Sequence, residues 1–377
     1  MSEPNKIKDD DHDHDLDHNH DLDDSDPLVA ARQVLTQYPL DPIGAITPIT
    51  HGLLNRTYAV ATDGGQRFIL QRVNPIFSRH IHDDIDVVTR TLEAKGIMTP
   101  RLVNDREGSL YVVDETAAIW RLMTYIDGIT HMSLSEPETA ASAGALLGRF
   151  HAALADLEHP FSNRRLGVHD TPAHLRRLNE ALEKHRVHHP RYDQVAPIAD
   201  DILKMASDAP KLCALPDRTV HGDPKISNIL FDGTSGSAIC LVDLDTLARM
   251  PVPIELGDAF RSWCNPRGED AREVDFSLDL FSAAITGYAA NAAITREEQA
   301  SIVTATLTIT LELAARFAAD ALNESYFGWD AARFGSRSEH NLVRAVGQLE
   351  LARATWRRFD DAEATVEAAF RSARPTP

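Results

Sequence analysis

Apolar and polar residues follow three different patterns along the chain, and each pattern predicts a different kind of structure. Residues 1–27 are almost all polar or charged, so this segment lacks the apolar side chains that a core requires. Residues 28–126 contain mostly short β-type runs, whereas from Pro137 onwards the apolar residues recur at helical spacing. The patterning therefore predicts a disordered tail, then a β-rich unit and then a larger helical unit.

The β-rich unit is predicted around a hairpin. The sequence HGLLNRTYAVATDGGQRFILQRVN contains two β-rich runs around Asp-Gly-Gly, which is a strong signal for a tight turn between paired strands. The other elements predicted here are a helix over residues 28–37, a strand over Ile46–Thr50, a helix over Asp83–Lys95, and strands over Leu110–Val113 and Ala117–Tyr125.

The helical unit begins with an amphipathic stripe. Its apolar positions, spaced by three and four residues, are Ala143, Leu146, Leu147, Phe150, Leu154 and Leu157. His151 lies beside this stripe and is interpreted as a hydrogen-bonded core residue. Further helices are expected over Pro172–Lys184, Val195–Ala206, Phe276–Asn291, Arg296–Leu322 and Glu339–Trp356, with residues 361–377 as a C-terminal tail.

Between these helices lies the segment with the most distinctive chemistry, Val220–Thr246. A loop with the sequence HGDPKISN leads into an apolar run, and a Gly- and Ser-rich turn connects it to a second run that ends in VDLD. Because side chains alternate along a strand, Asp243 and Asp245 are expected to share one face. Two carboxylates beside apolar residues need a cation or hydrogen-bond donors.

A magnesium ion satisfies these carboxylates most simply. Mg²⁺ takes oxygen ligands, usually one or two from protein and the rest from phosphate and water. We therefore predict Asn228 and Asp243 as metal ligands, with Asp245 as a possible third. Asp223, held out of helical conformation by Pro224, is where a base would accept a hydroxyl proton beside a metal-bound phosphate.

The spacing H-x-D-x-x-x-x-N, followed by a hairpin and a strand ending in Asp, resembles the catalytic segments of the protein-kinase-like fold. HGD and VDLD are similar to the aminoglycoside phosphotransferase and choline kinase superfamily. This resemblance implies an α+β, two-lobed protein-kinase-like fold with a small β-rich N-lobe over 28–126 and a large, mainly helical C-lobe over 127–360. It further implies Asp223 as the base, Lys225 as a contact to the transferred phosphate, and ATP with Mg²⁺ as cofactors.

The resemblance also implies where the nucleotide binds. The loop His51–Thr57 would cover the phosphates, but it has only Gly52 where protein kinases have a glycine-rich motif, so side-chain contacts fall to Asn55, Arg56 or Thr57. The phosphate-anchoring cation would be Arg72, with Gln71 at the position where relatives often have a basic residue. Its acidic partner is left open among Asp83, Asp84, Asp86 and Glu93. Adenine would bind at the hinge Met123–Ile126, which includes Tyr125.

A narrower resemblance concerns the substrate. The sequences HGLLNRT, FILQRVN, GDAFRS and ESYF are similar to the N-acetylhexosamine 1-kinase branch, which implies phosphorylation of a sugar or amino sugar. Arg316, Tyr326 and Trp263 are the predicted substrate contacts. Two alternatives stay open: an acceptor with a positive charge, such as choline or an aminoglycoside, caged by Trp263, Tyr326 and Trp329, and a silent nucleotide-binding regulatory module.

The charge and the cysteine content of the chain limit its expected binding partners and its expected cellular compartment. The 377-residue chain has a formal net charge of −19, and residues 1–27 carry nine of these negative charges. No basic block offsets them, so neither nucleic acid nor an anionic membrane is expected as a partner. The family resemblance implies a small-molecule substrate as the partner. Three scattered cysteines favour a reducing cytoplasm. The oligomeric state is left open, and so is metal binding by the four tail histidines.

Overall fold

A small antiparallel sheet and a larger set of helices form two lobes, as predicted. The computed structural model describes residues 27–49, 55–161 and 169–373. The tail predicted over residues 1–27 therefore lies almost entirely outside the described residues. The division of the chain near residue 126 falls in the linker between strand β5 and helix α3, and it stays a prediction.

The N-lobe sheet has five strands in the order β1-β2-β3-β5-β4. The predicted hairpin is present, with Tyr58 opposite Leu70 in antiparallel register. One face of the sheet packs under the first helix through Tyr38, Tyr58, Leu70 and Trp120, all of which are buried. The N-lobe elements are α1 (Pro27–Leu35), β1 (Ile43–Ile49), β2 (Arg56–Thr62), β3 (Arg67–Arg72), α2 (Ile81–Ala94), β4 (Val112–Val113) and β5 (Ile119–Thr124).

The first part of the C-lobe carries three helices and two small antiparallel sheets of two strands each. The sequence HDTP begins a helix as expected, because the Asp170 carboxylate accepts a hydrogen bond of 2.9 Å from the Ala173 amide. The elements are α3 (Pro137–Leu154), α4 (Thr171–His185), α5 (Tyr192–Asp208), β6 (Asp217–Val220), β7 (Ile229–Phe231), β8 (Ala238–Leu241) and β9 (Ala248–Pro251). Strand β6 pairs with β9, and β7 pairs with β8.

Five further helices complete the C-lobe. They are α6 (Val252–Trp263), α7 (Leu278–Ala289), α8 (Arg296–Asn323), α9 (Arg337–Arg357) and α10 (Phe359–Ser372). Helix α8 begins with a capping box between Thr295 and Glu298 and is long and apolar enough to cross a membrane by length and composition, but 89% of its most apolar window is buried inside the protein. It is therefore the central helix of the C-lobe core.

Two predictions about the elements are wrong. Residues 361–372 are not a tail, because they belong to α10, which buries Ala362, Val366 and Phe370 in the core. The strand predicted over Leu110–Val113 is reduced to two residues. The other predicted helices and strands are present to within a few residues at their ends, where hydrophobic periodicity is least informative, whereas strands β6 and β9 were not predicted.

Candidate active site

The loop that carries Asp223 follows directly from strand β6, and a glycine fixes its shape. Gly222 has a φ of +85°, in the region that favours glycine. A Cβ at this position would lie 2.1 Å from the carbonyl oxygen of Thr246, so the two backbones are in direct contact. The glycine of the HGD sequence is therefore required both by its dihedral angle and by the close approach of the 244–246 turn.

Buried hydrogen bonds hold this loop on both sides. The Gly222 amide donates to Glu255 at 2.8 Å, and Glu255 also pairs with His151. His151 hydrogen-bonds the Tyr288 hydroxyl at 2.8 Å, so it is the satisfied core residue that the sequence predicted. The Trp263 indole donates to the Pro224 carbonyl at 2.8 Å and is fully buried. Its prediction as a substrate contact is therefore wrong, because it supports the loop from behind.

Asp223 contacts two side chains, Lys225 and Asn228, that belong to the same short sequence motif. Its carboxylate accepts hydrogen bonds from the Lys225 ammonium at 2.7 Å and from the Asn228 amide at 3.2 Å. Asn228 also donates to the Asp223 backbone carbonyl at 2.8 Å. Both of these hydrogen bonds use the Asn228 amide nitrogen, and the side-chain oxygen takes part in none of the hydrogen bonds of the described part of the chain. It remains available to a metal.

The charges around Asp223 keep it ionised. Burial alone would raise the pKa of this carboxyl, but the Lys225 ammonium more than offsets that effect and the pKa lies below its ordinary value. The pKa of Lys225 is correspondingly raised, since Asp223 and then Asp243 outweigh the effect of its own burial. The loop thus carries a carboxylate and an ammonium in contact.

Asp243 does not lie on a strand, which corrects the prediction of a shared face with Asp245. Strand β8 ends at Leu241, and Asp243 has a left-handed backbone with a φ of +65° before a 3₁₀ turn at Leu244–Thr246. Solvent reaches the residue, yet desolvation by surrounding groups, and next the charge of Asp245, raises the pKa of its carboxyl. A non-glycine residue in this conformation is strained, which is typical of functional positions.

Asp245 is occupied by protein groups, which argues against the predicted metal role. Both of its carboxylate oxygens accept hydrogen bonds from Arg121 of β5, and one accepts from the Asn55 amide at 2.6 Å. The Asn55 oxygen in turn accepts from the Asn74 backbone at 2.9 Å. Asn55 and Asp245 are therefore assigned to contacts between the lobes rather than to phosphate or metal.

Arg121 was missed by the sequence analysis, although a signal existed. An arginine in the apolar strand sequence IWRLM needs an anionic partner if it is buried, and only 1% of Arg121 is exposed. The family resemblance implies a cation on β3 instead. There Arg72 lies on the α1 side of the sheet with its guanidinium 6.0 Å from the Trp120 ring, so its prediction as phosphate anchor is wrong.

Gln71 lies on the opposite face of the sheet from Arg72, towards Asp245. Its side-chain oxygen accepts two hydrogen bonds from Arg121, at 2.9 and 2.7 Å, and its amide donates to Thr57 at 3.1 Å. Arg121 forms no ion pair with any of the four acidic residues of α2 that were predicted as possible partners of the phosphate-anchoring cation. Asp83 lies near His80, Asp84 pairs with His159, and Asp86 and Glu93 pair with Arg101.

The predicted hinge follows the end of β5. Met123 pairs with Ile69 inside the sheet, and Tyr125 comes one residue after the strand ends. The guanidinium of Arg67 lies 4.2 Å from the centre of the Tyr125 ring and also pairs with Asp127 in the linker. Adenine binding at this segment stays a prediction, and residues 51–54 of the predicted phosphate loop lie outside the described residues.

Arg316 and Tyr326 come together in the C-lobe. Arg316 donates to the Tyr326 hydroxyl at 3.3 Å and lies 5.5 Å from the centre of its ring. The loop after α8 is held by Asp320, which accepts backbone hydrogen bonds from Ser325, Tyr326 and Phe327. Arg316 thus has the hydroxylic partner that its position in an apolar helix required. Tyr326 is 53% exposed and available to a ligand.

Two adjacent residues connect this loop to the catalytic loop. Glu269 pairs with Arg261, which braces Asp258 beside the HGD segment. Asp270 pairs with Arg333, His340 and Arg344, and Arg344 also donates to the Gly328 carbonyl at 2.9 Å. The loop after α8, which carries Tyr326 and Phe327, and the catalytic loop therefore lie on the same side of the C-lobe.

Comparisons with solved structures find the same architecture. The microcompartment-associated aminopropanol kinase superposes with a TM-score of 0.61 at 15% identity, covering 89% of this chain and 98% of the other. Amicoumacin kinase in complex with AMP-PNP, Ca²⁺ and its ligand gives 0.59 at 16% identity, with 86% and 93% covered. Choline kinase from Cryptosporidium parvum gives 0.55 at 13% identity, with 90% and 98% covered.

A family model identifies the chain more directly than these distant structures. Residues 45–290, about two thirds of the sequence, match the model of the phosphotransferase enzyme family. The matched range includes the N-lobe hairpin, the HGD loop and the turn that carries Asp243 and Asp245. The chain therefore belongs to the phosphotransferase enzyme family and is an ATP-dependent kinase of small molecules.

Proposed function

We propose that this kinase transfers the γ-phosphate of ATP to a hydroxyl group of a sugar or amino sugar, as N-acetylhexosamine 1-kinases do. The observation that carries the chemistry is the group around Asp223. An ionised carboxylate contacts both Lys225 and Asn228, and Asp243 is close enough to influence the pKa of Lys225. Phosphoryl transfer depends mainly on positioning and electrostatics, and these groups supply both.

The residues present fit a magnesium ion bound together with nucleotide. Asn228 and Asp243 offer hard oxygen donors. Desolvation and then the charge of Asp245 raise the pKa of the Asp243 carboxyl, and a bound divalent cation would offset both effects. No group of three or more His, Cys, Asp or Glu suited to a metal occurs in the described ranges. Two protein ligands with phosphate oxygens and water match the usual coordination of Mg²⁺, which would neutralise charge on the phosphates.

Each residue of the loop then has a defined role. Asp223 accepts the proton of the acceptor hydroxyl and orients its oxygen towards the phosphorus. Lys225, which pairs with Asp223 in the structure, neutralises the charge of the phosphoryl group in transfer. Asn228 holds Asp223 through its amide, and its side-chain oxygen would be a ligand of the metal.

The acceptor side favours a sugar over a cation. Arg316 already lies over the Tyr326 and Phe327 rings, at 5.5 and 5.4 Å, so these faces are occupied by a positive charge. Trp263, one wall of the alternative cage, is buried. An arginine beside a tyrosine hydroxyl is instead suited to the carbonyl and hydroxyl oxygens of an acylated sugar. The names of the choline and aminopropanol kinases keep a cationic acceptor as the second candidate.

An acceptor screen tests the substrate class. ADP release is measured with MgATP and N-acetylglucosamine, N-acetylgalactosamine, glucose, choline or an aminoglycoside. We expect the highest kcat/KM with an N-acetylated sugar. Higher values for choline or the aminoglycoside would refute the acceptor proposal while leaving the kinase assignment intact.

Substitution of Asp223 tests the catalytic assignment. Asp223→Asn preserves the shape of the side chain but removes the base, and we expect kcat to fall at least 100-fold with MgATP affinity within about threefold of wild type. Asp232→Asn, in the exposed β7–β8 turn, is the matched control and should change kcat less than twofold. Near wild-type turnover by purified Asp223→Asn would refute the role.

A further inference from the structure

A buried ion pair connects the N-lobe sheet to the turn that carries Asp243. Arg121 of β5 donates to both oxygens of Asp245, and each of the two residues is 1% exposed. This bidentate geometry is the strongest arrangement available to an arginine and a carboxylate. Because Asp245 lies two residues after Asp243, the pair fixes the turn against the N-lobe.

Other groups fix the two side chains in place. Gln71 accepts from two nitrogens of Arg121, and Asn55 donates to Asp245 at 2.6 Å. The Asn55 oxygen is itself held by the Asn74 backbone. The guanidinium is therefore oriented from the sheet, and the carboxylate receives donors from two separate N-lobe segments.

The turn that receives these contacts is strained. Asp243 has a φ of +65°, and such a conformation persists only when surrounding contacts hold it. On the C-lobe side, the Thr246 hydroxyl donates to the His221 carbonyl at 2.9 Å, and the His221 ring hydrogen-bonds the Val242 carbonyl at 2.9 Å. On the N-lobe side, Arg121 and Asn55 contact the turn through the carboxylate of Asp245.

We propose that Arg121 is a positioning residue that acts through Asp245 to hold Asp243 in the orientation needed for the metal-bound nucleotide. This inference rests on the proposed roles of Asp243 and Mg²⁺. The N-lobe cation is then Arg121 on β5, whereas the sequence predicted Arg72 on β3. Its acidic partner is Asp245, in the turn after Asp243, whereas the sequence predicted an acidic residue of α2. The Arg121–Asp245 pair thus both connects the two lobes and positions the metal ligand Asp243.

The sheet register offers an unusually direct test. Gln71 and Arg121 are directly opposite each other in the β3–β5 pair, and their side chains lie on the same face. The double variant Gln71→Arg/Arg121→Gln therefore moves the guanidinium to β3 while keeping the same groups on that face. The single variant Arg121→Gln removes the charge alone. Arg90→Gln, which removes an exposed arginine that pairs with Asp86 within α2, is the matched control.

Calorimetry on the full chain then separates positioning from simple structural support. Affinities for MgATP, and for ATP in EDTA, are measured for each variant without any acceptor, so a wrong acceptor class leaves the test unaffected. For Arg121→Gln we expect MgATP affinity to fall at least 10-fold and metal-free ATP affinity to change less than threefold. Arg90→Gln should change neither affinity by more than twofold.

The double variant decides the outcome if Arg121→Gln folds poorly. We expect the swap to recover at least half of the lost MgATP affinity on a logarithmic scale. Failure of the swap to bind MgATP better than the single variant, through misfolding or in a folded protein, would overturn the proposal. Equal losses with and without Mg²⁺ in Arg121→Gln would also overturn it, because they would indicate general support of the nucleotide site.

Discussion

Gly222 is the residue at which the geometry of the catalytic loop is most sensitive to a single atom. An alanine there would keep a φ near +85° and place its Cβ 2.1 Å from the Thr246 carbonyl oxygen. The left-handed conformation costs about 1–2 kcal/mol for a non-glycine residue. Relief of the overlap, by overpacking estimates, costs about 1–3 kcal/mol more. We therefore expect Gly222→Ala to lower the free energy of unfolding by about 2–5 kcal/mol.

The same substitution should lower turnover. Separating the loop from Thr246 requires a shift of about 1 Å, and misplacement on this scale is known to cost about 100-fold in rate. Asp223 follows Gly222 directly. Because the Gly222 backbone amide donates to the Glu255 carboxylate at 2.8 Å, the rest of the loop cannot absorb the shift. We expect kcat to fall about 100-fold or more, with KM for MgATP within about threefold.

A second glycine provides the control. Gly236, in the β7–β8 turn, has a φ of +70°, and a Cβ there would have no atom within 4 Å. Gly236→Ala should therefore cost only the conformational part, about 1–2 kcal/mol, and leave kcat within twofold. Urea unfolding and ADP release measure both variants. The reasoning is refuted if Gly222→Ala loses no more stability than Gly236→Ala, or if its kcat stays within threefold of wild type.

Two further predictions concern residues that support the site. Burial and then Arg121 lower the pKa of His82 to about 4, so the unfolded chain binds a proton that the folded chain does not, and stability should fall by at most roughly 3 kcal/mol between pH 6.5 and pH 4. His82→Phe should flatten this dependence in urea unfolding, and an unchanged slope would contradict the assignment. Trp263→Phe removes the bond to Pro224 and should cost about 1–3 kcal/mol and lower kcat. A raised KM for the acceptor at unchanged stability would instead indicate substrate contact.

The catalytic loop was predictable from sequence because its contacts are local. Asp223, Lys225 and Asn228 lie within six residues, and the hydrogen bonds among them depend only on the backbone of that short segment. The spacing of the motif therefore carries the geometry. The same reasoning worked for His151, whose position beside an apolar stripe predicted a buried and hydrogen-bonded ring.

Predictions that extended a regular pattern beyond its end were less successful. The alternation of β8 was continued to Asp245, although the strand ends at Leu241 and the chain then turns through a left-handed residue. Trp263 was assigned to a pocket from its residue type alone, because the sequence does not show which face of α6 meets the catalytic loop. Both errors concern tertiary contacts, which periodicity does not specify.

The wrong prediction of Arg72 as the phosphate anchor shows that neighbouring residues of one strand can belong to different sites. A shift of one residue moves a side chain to the other face of a sheet, so Arg72 lies towards Trp120 while Gln71 lies towards Asp245. The face towards Asp245 still requires a cation, and the residue directly opposite Gln71 supplies it. A positive charge on this face can therefore come from β3 or from β5, because cross-strand partners reach the same space. What the fold requires is a positive charge on the face of the sheet towards Asp245, and the strand register decides which strand supplies it.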